Sequence, residues 1–186
     1  RINRIPLDFV RIGSSGDPSE NWAHTVGILK AIDKCNKQIV IITRHWTTLT
    51  DEQLAYLGTI NVVFNTSVSA LDKPHVRFNC LLQYNRLKPY CKSILRVVSC
   101  DFSLSNPLGH EMAKVQAELF RNDATLDTVF RPGKLNPLVV DGVIHVAKAK
   151  FMDGMALASK HNPSTYLGKC STCHEMCGLN VKPEVQ

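Results

Sequence analysis

No apolar run in this chain approaches the length needed to cross a bilayer, and the N-terminus lacks the charged, apolar and small-residue succession of a secretory signal. The phosphate-cradling G-x-x-x-x-G-K-[ST] loop is absent, as is the G-x-G-x-x-G dinucleotide fingerprint. No Ser-His-Asp order marks a hydrolase, and no Glu/Asp–His trio offers the ligands of a zinc hydrolase. Basic residues outnumber acidic ones by 22 to 16, for a net charge of +6, yet they form no run and no stripe interleaved with aromatics. That pattern reads as a mildly basic solvated surface and gives nucleic acid or another anionic partner little support. A disulfide framework is also missing. Seven cysteines are an odd set with no secretory signal, which points to a reducing, cytoplasmic setting.

What remains is a chain of 186 residues, 44% hydrophobic and 20% charged, enough apolar material for one domain or one domain with a small appendix. A start at Arg1 rather than Met reads as a fragment or a processed product.

The chain is organised around the stretch 9–19, FVRIGSSGDPS. The apolar run Phe9–Ile12 is cut off by Gly13, Ser14, Ser15, Gly16, Asp17 and Pro18, and a helical pattern follows. This is a buried strand running into a polar loop and then a helix, the place where α/β folds collect ligands. The unit recurs. Residues 21–36 carry Trp22, Val26, Leu29 and Ile32 at helical spacing, with Ser19 or Asn21 as cap. Gln38–Thr43 is a β-branched run that reads as a fully buried parallel strand. Thr50 and Gln53 have capping-box spacing ahead of a helix that Gly58 stops. A strand is expected over 60–65, a helix over 75–90, a strand over 93–99, a helix over 109–122 and a strand over 126–130. The turn dipeptide Asp141-Gly142 predicts a hairpin-like pair within 138–147, and 151–158 reads as helical from Met152, Met155 and Ala156.

Strands alternating with helices at this rhythm predict βαβ units and a parallel sheet. Five or six strands are too few for a closed eight-stranded barrel. The expected fold is therefore an α/β partial, open parallel βα barrel over 1–150, with a C-terminal helix and cysteine-rich metal-binding loop over 151–186; a doubly wound sheet is the competitor. The strand ends are rich in hydrogen-bonding groups: Ser14, Ser15, Asp17; Thr43, Arg44, His45; Asn65, Thr66, Ser67, Ser69, Asp72; Arg96, Ser99, Asp101. Four polar rims in succession point to a ligand site. Ser15 and Asp17 could accept from an ammonium group, Arg44 could pair with a carboxylate, and Asn65, Ser67 and Ser69 could bond ribose hydroxyls. His45 is either an acid/base group or a structural histidine at a strand end.

The successive segments VRIGSSGDPSENW, IVIITRHWTTLTDEQLAYLG, INVVFNTSVSALD and SILRVVSCDF resemble strands of the radical S-adenosylmethionine barrel. They are most similar to the branch with a GDP or TDP loop after the second strand and a TK or TR pair after the third. Spore photoproduct lyase-like proteins and phage- or plasmid-encoded radical-SAM-like proteins belong to that branch. The resemblance covers about 9–102. It implies a cytoplasmic enzyme that cleaves S-adenosylmethionine reductively and abstracts hydrogen from a substrate. It also implies that Ser15, Gly16 and Asp17 contact the methionyl amino group, with Thr43 and Arg44 as the pair after the next strand. Asn65, Ser67 and Ser69 would contact the ribose, and Arg96 the methionine carboxylate or adenine side. On this reading Asp17→Ala leaves the fold intact and abolishes cofactor affinity.

The chain departs from that family in one respect: no C-x3-C-x2-C loop precedes Phe9. Near the C-terminus, however, Cys170, Cys173 and Cys177 form a C-x2-C-x3-C pattern with His174 beside them. Thiolates at this spacing can converge from a tight loop on an iron-sulfur cluster or on zinc. Three cysteines can hold a four-iron cluster with one iron open; His174 or a distant cysteine would close a zinc site. The other reading is three unrelated thiols. A second function class also follows, a non-catalytic iron-sulfur- or zinc-stabilised binding module on the same scaffold. Cys35, Cys80, Cys91 and Cys100 are dispersed and read as small hydrophobes.

Overall fold

A computed structural model of the chain describes residues 2–4, 6, 8–13, 15–122, 124–130, 132–145, 155–157, 165–167 and 176–180. Its frame is a regular βα alternation: β1 (Phe9–Ile12), α1 (Trp22–Ile32), β2 (Gln38–Thr43), α2 (Asp51–Leu57), β3 (Val62–Val68), α3 (Pro74–Leu87), β4 (Lys92–Ser99), α4 (Pro107–Leu119) and β5 (Thr125–Val129). All four strand pairs are parallel, and the spatial order β1-β2-β3-β4-β5 follows the chain.

That order dictates where the helices lie. Parallel crossovers are right-handed almost without exception, so strands added always on the same side place every connecting helix on the same face. The burial agrees. Ile39, Ile41, Val62 and Phe64 pack with Trp22, Leu29, Leu54, Leu57 and Leu87 of the helices, and Val68, Leu95 and Val97 pack with Cys80, Tyr84 and Leu119. Alternate residues point the other way. Phe9, Val40, Val63, Ile94 and Leu126 form a separate apolar cluster, and the partly buried hydrophobics packed on it, Ile42, Ala124, Cys177 and Leu179, come from outside α1–α4. The sheet therefore has a helical face and a second face, called open below because it carries none of α1–α4, although Phe9, Val40, Val63, Asn65, Ile94 and Leu126 on it are all buried.

Local chemistry accounts for the boundaries. Thr50 accepts from the Gln53 amide at 3.2 Å while the Gln53 side chain accepts from the Thr50 amide at 2.9 Å, which closes the capping box of α2. Asn106 caps α4 by accepting from Leu108 and Gly109, with Pro107 at the first helical position. Gly13 leaves β1 at φ +97, and a Cβ there would lie 2.2 Å from the Ile42 carbonyl oxygen, so only glycine fits this exit.

Three expectations need correction. β3 extends through Thr66 and Ser67 to Val68, pairing with Leu95, Arg96 and Val97, so two residues read as rim loop lie inside a strand. The Asp141-Gly142 turn joins no hairpin. Asn136 and Pro137 start a short helix, α5 (Pro137–Val140), and the Val143 and Ile144 amides both return to the Leu138 carbonyl. After that turn, Ile144 makes a single antiparallel bridge to Phe102. Finally, within the expected helix 151–158 the described residues form β6 (Met155–Leu157), paired antiparallel with β7 (Thr165–Leu167). Cross-strand pairing has overridden a helix-like spacing of methionines; the rest of that segment lies outside the described residues.

Candidate functional site

Two sets of polar residues stand at the carboxyl half of the sheet, and the structure gives them different tasks. The first is a rim hub built on Asp17. One oxygen of its carboxylate accepts from the Ser19 amide at 2.9 Å, the Ser19 hydroxyl at 2.6 Å and the Thr43 hydroxyl at 2.7 Å. The other accepts from the Arg44 amide at 2.6 Å. The same Ser19 hydroxyl accepts from the Trp46 amide, and the Ser19 carbonyl accepts from the Thr47 hydroxyl. The loop after β1 is thus stapled to the loop after β2.

A neighbouring staple joins β2 to β3. The Arg44 guanidinium pairs with Asp72 and lies 5.4 Å from the Trp46 ring, while the Ser69 amide donates to the other Asp72 oxygen. The Ser69 hydroxyl donates to the Val98 carbonyl at 2.8 Å, which ties the loop after β3 to β4. Asp17, Thr43, Arg44 and Ser69 are all expected cofactor residues; their described hydrogen bonds hold rim loops together, and Arg44 Nε is buried with no hydrogen-bond partner among the described residues. Ser15 and Gly16, from the same set, are exposed at the tip of the first loop. Ser14 lies outside the described residues.

His45 belongs to this rim but not to its surface. It is fully buried at φ 52, with its ring 5.6 Å from Trp22 and 6.3 Å from Phe64. Its Nε2 is 3.1 Å from the Thr66 hydroxyl. Burial, partly offset by Asp17, lowers its pKa to about 4, so the ring is neutral across the physiological range. Of the two readings of His45, the buried structural histidine matches this environment. The dispersed cysteines behave as hydrophobes: burial pushes Cys80 up to about 11, and Cys91 and Cys100 up to about 12.

The second set lies on the open face. Period-two alternation puts Asn65, Ser67, Arg96 and Thr128 on the side away from the helices, together with Val63, Ile94 and Leu126. Arg96 Nε donates to the Thr128 hydroxyl at 2.7 Å. Asn65 is completely buried. Its Nδ2 donates to the carbonyl of Cys177 at 2.9 Å, and its Oδ1 has no hydrogen-bond partner among the described residues. Of the expected cofactor residues, then, Asn65, Ser67 and Arg96 come together on one face, away from the Asp17 hub.

Cys177 reaches that face from 112 positions away. It sits in a short turn, Met176–Gly178, with its side chain partly buried against the open-face cluster and not in a disulfide. Lys92 Nζ donates to the Leu179 carbonyl at 2.7 Å and anchors the far end of the turn. Cys170, Cys173 and His174 lie outside the described residues. Among the described residues no group of three His, Cys, Asp or Glu side chains could hold a metal ion, and no helix is long and apolar enough to cross a membrane.

Sequence reasoning missed Thr128, Lys92 and Gly178. Alternation along β4 was the available signal, since Lys92 and Arg96 share parity with Ile94 and so share its face. Their partners in β5 and at the C-terminus are non-local and left no mark in the sequence. No protein-family model matches the chain, and neither curated proteins nor solved structures show a match to it.

Proposed function

We propose that the chain is a radical-SAM-like iron-sulfur protein, an incomplete βα barrel whose interior is the open face of the sheet. Cys170, Cys173 and Cys177 would hold a four-iron cluster there, with S-adenosylmethionine between the cluster and the polar residues of β3 and β4. The observation that carries this reading is the docking of Cys177 on the open face, hydrogen-bonded through its carbonyl to Asn65. One cysteine of the C-terminal C-x2-C-x3-C pattern thus lies on the face that carries Asn65, Ser67 and Arg96, three residues that the resemblance assigns to the cofactor.

The chemistry of the donors fits. A partly buried cysteine outside any disulfide is a competent iron ligand. The buried Oδ1 of Asn65 lacks a donor, and a ribose hydroxyl is a donor of the kind that acceptor needs. When bound, a reduced cluster supplies the electron that cleaves S-adenosylmethionine to methionine and the radical that abstracts hydrogen from a substrate. This chain's own residues have other tasks: Asn65 and Ser67 orient the adenosyl group, Arg96 offers positive charge to a carboxylate, and the apolar residues Val40, Val63 and Ile94 keep water from the centre.

A second reading is a non-catalytic, metal-stabilised binding module, and one observation favours it. Asp17 and Arg44, two expected cofactor contacts, are committed to each other and to their neighbours. Metal analysis separates the two. Anaerobic purification of the full chain is expected to give a brown protein containing iron and sulfide, with thiolate-to-iron charge-transfer absorption. A colourless protein with one zinc per chain would instead support the binding module.

A further inference from the structure

We infer that Asn65, Lys92 and Gly178 form a docking station that holds Cys177 in a left-handed turn over β3 and β4, and that this station sets the Cys177 thiol as a ligand for a thiophilic metal ion. The inference rests on the metal-binding reading above. It adds positioning residues that lie far from the cysteines in sequence.

The backbone of the turn is the first support. Cys177 has φ 54 and ψ 38, and Gly178 follows at φ +87. A side-chain-bearing residue in the left-handed region is strained and persists only where its surroundings enforce it. Those surroundings are specific. Asn65 fixes the Cys177 carbonyl at 2.9 Å and Lys92 fixes the Leu179 carbonyl at 2.7 Å. Between them Gly178 lies flat on β4. A Cβ there would stand 2.9 Å from Ile94 Cγ1, so the backbone approaches the sheet as only glycine allows. Cys177 and Leu179, on either side, pack onto the open-face cluster.

The second support is the acceptor beneath the turn. Asn65 Oδ1 would be 3.6 Å from that same Cβ and has no hydrogen-bond partner among the described residues, although Asn65 is fully buried. Leaving a buried acceptor unpaired forfeits the hydrogen bond it made to water. A hydroxyl donor bound beside Cys177, whether a water on the metal or the ribose hydroxyl of the reading above, would supply the missing donor, in the way outer partners orient the groups around a metal.

Cobalt(II) is the probe, because thiolate coordination gives it a charge-transfer band and intense ligand-field bands. The full chain, purified without metal under anaerobic conditions, is titrated with Co²⁺ beside Gly178→Ala, Lys92→Met and Cys177→Ser. The expected result is a thiolate–cobalt spectrum for the wild type and loss of intensity for Cys177→Ser. Gly178→Ala should bind ~10-fold or more weakly, and Lys92→Met a few-fold more weakly, as for other positioning residues around metals. Thermal melting of the metal-free variants should stay within a few degrees of wild type, which a merely structural role would not combine with lost affinity. Lys92→Met keeps the test open if Gly178→Ala fails to fold. Wild-type affinity in both variants would overturn the inference and leave the metal site standing. A wild type with no thiolate–cobalt band would overturn the metal-binding reading itself.

Discussion

Replacing Asp17 by alanine is expected to cost about 3–5 kcal/mol of folding stability, read as a lowered midpoint in urea denaturation. Hydrogen bonds to a charged acceptor contribute about 1.5–3 kcal/mol each, less than additively when they share one group. Asp17 receives four of them, from Ser19, Thr43 and Arg44. Alanine would leave the Thr43 hydroxyl and the Arg44 amide without that acceptor in a region already closed to solvent on the Thr43 side. Asp17→Asn should fall between, because one oxygen remains to accept while its amide opposes the Arg44 N–H. This reverses the expectation drawn from the loop sequence alone, under which the alanine variant keeps its fold and loses cofactor affinity. An unchanged urea midpoint together with lost S-adenosylmethionine binding would restore that expectation.

Acidification is expected to destabilise the protein through His45. The folded-state pKa is lowered to about 4 chiefly by burial, against 6.5 for the exposed ring. With the folded value below the unfolded one, the unfolded chain takes up the proton first. The stability conferred by a neutral, buried His45 is therefore complete above pH 6.5 and lost as pH falls from 6.5 toward 4. The loss over that window is about 3 kcal/mol, at 1.36 kcal/mol per pH unit. His45→Asn is the matched control, since asparagine tolerates the left-handed φ of 52 at this position. Urea denaturation at pH 7, 5.5 and 4.5 should show a steep acid loss in the wild type and a shallower one in the variant. Equal slopes would mean that His45 does not control the acid limit.

The parts of the fold that were legible are those whose signals are local. The β-branched run of β2, the capping box of Thr50 and Gln53, and the strand–loop–helix unit at Phe9 each lie within a few consecutive residues. The misread parts depend on partners elsewhere in the chain. Thr66 and Ser67 look like loop residues because they are polar. They lie in β3 because β4 pairs with them and because Thr66 has the buried His45 as a neighbour. Met155 sits at helical spacing from Met152, yet its strand pairing is made with Leu167. The candidate site follows the same division. Asp17 was visible as a carboxylate in a glycine-flanked loop, which is also how a ligand contact looks. That its donors are Thr43 and Arg44, 26 and 27 positions away, is a property of the folded rim. In the same way the cysteine spacing at the C-terminus was readable, whereas the bonds of the Cys177 and Leu179 carbonyls to Asn65 and Lys92 were not.

The open face of the sheet, with Cys177 seated on Asn65, is the centre of the functional account. Its most direct test is reductive cleavage of S-adenosylmethionine. The full chain, reconstituted anaerobically with iron and sulfide and reduced with dithionite, should form 5′-deoxyadenosine, detected by chromatography, and Cys177→Ser should not. An intact iron-sulfur cluster that yields no 5′-deoxyadenosine would contradict the account and assign the scaffold to binding rather than catalysis.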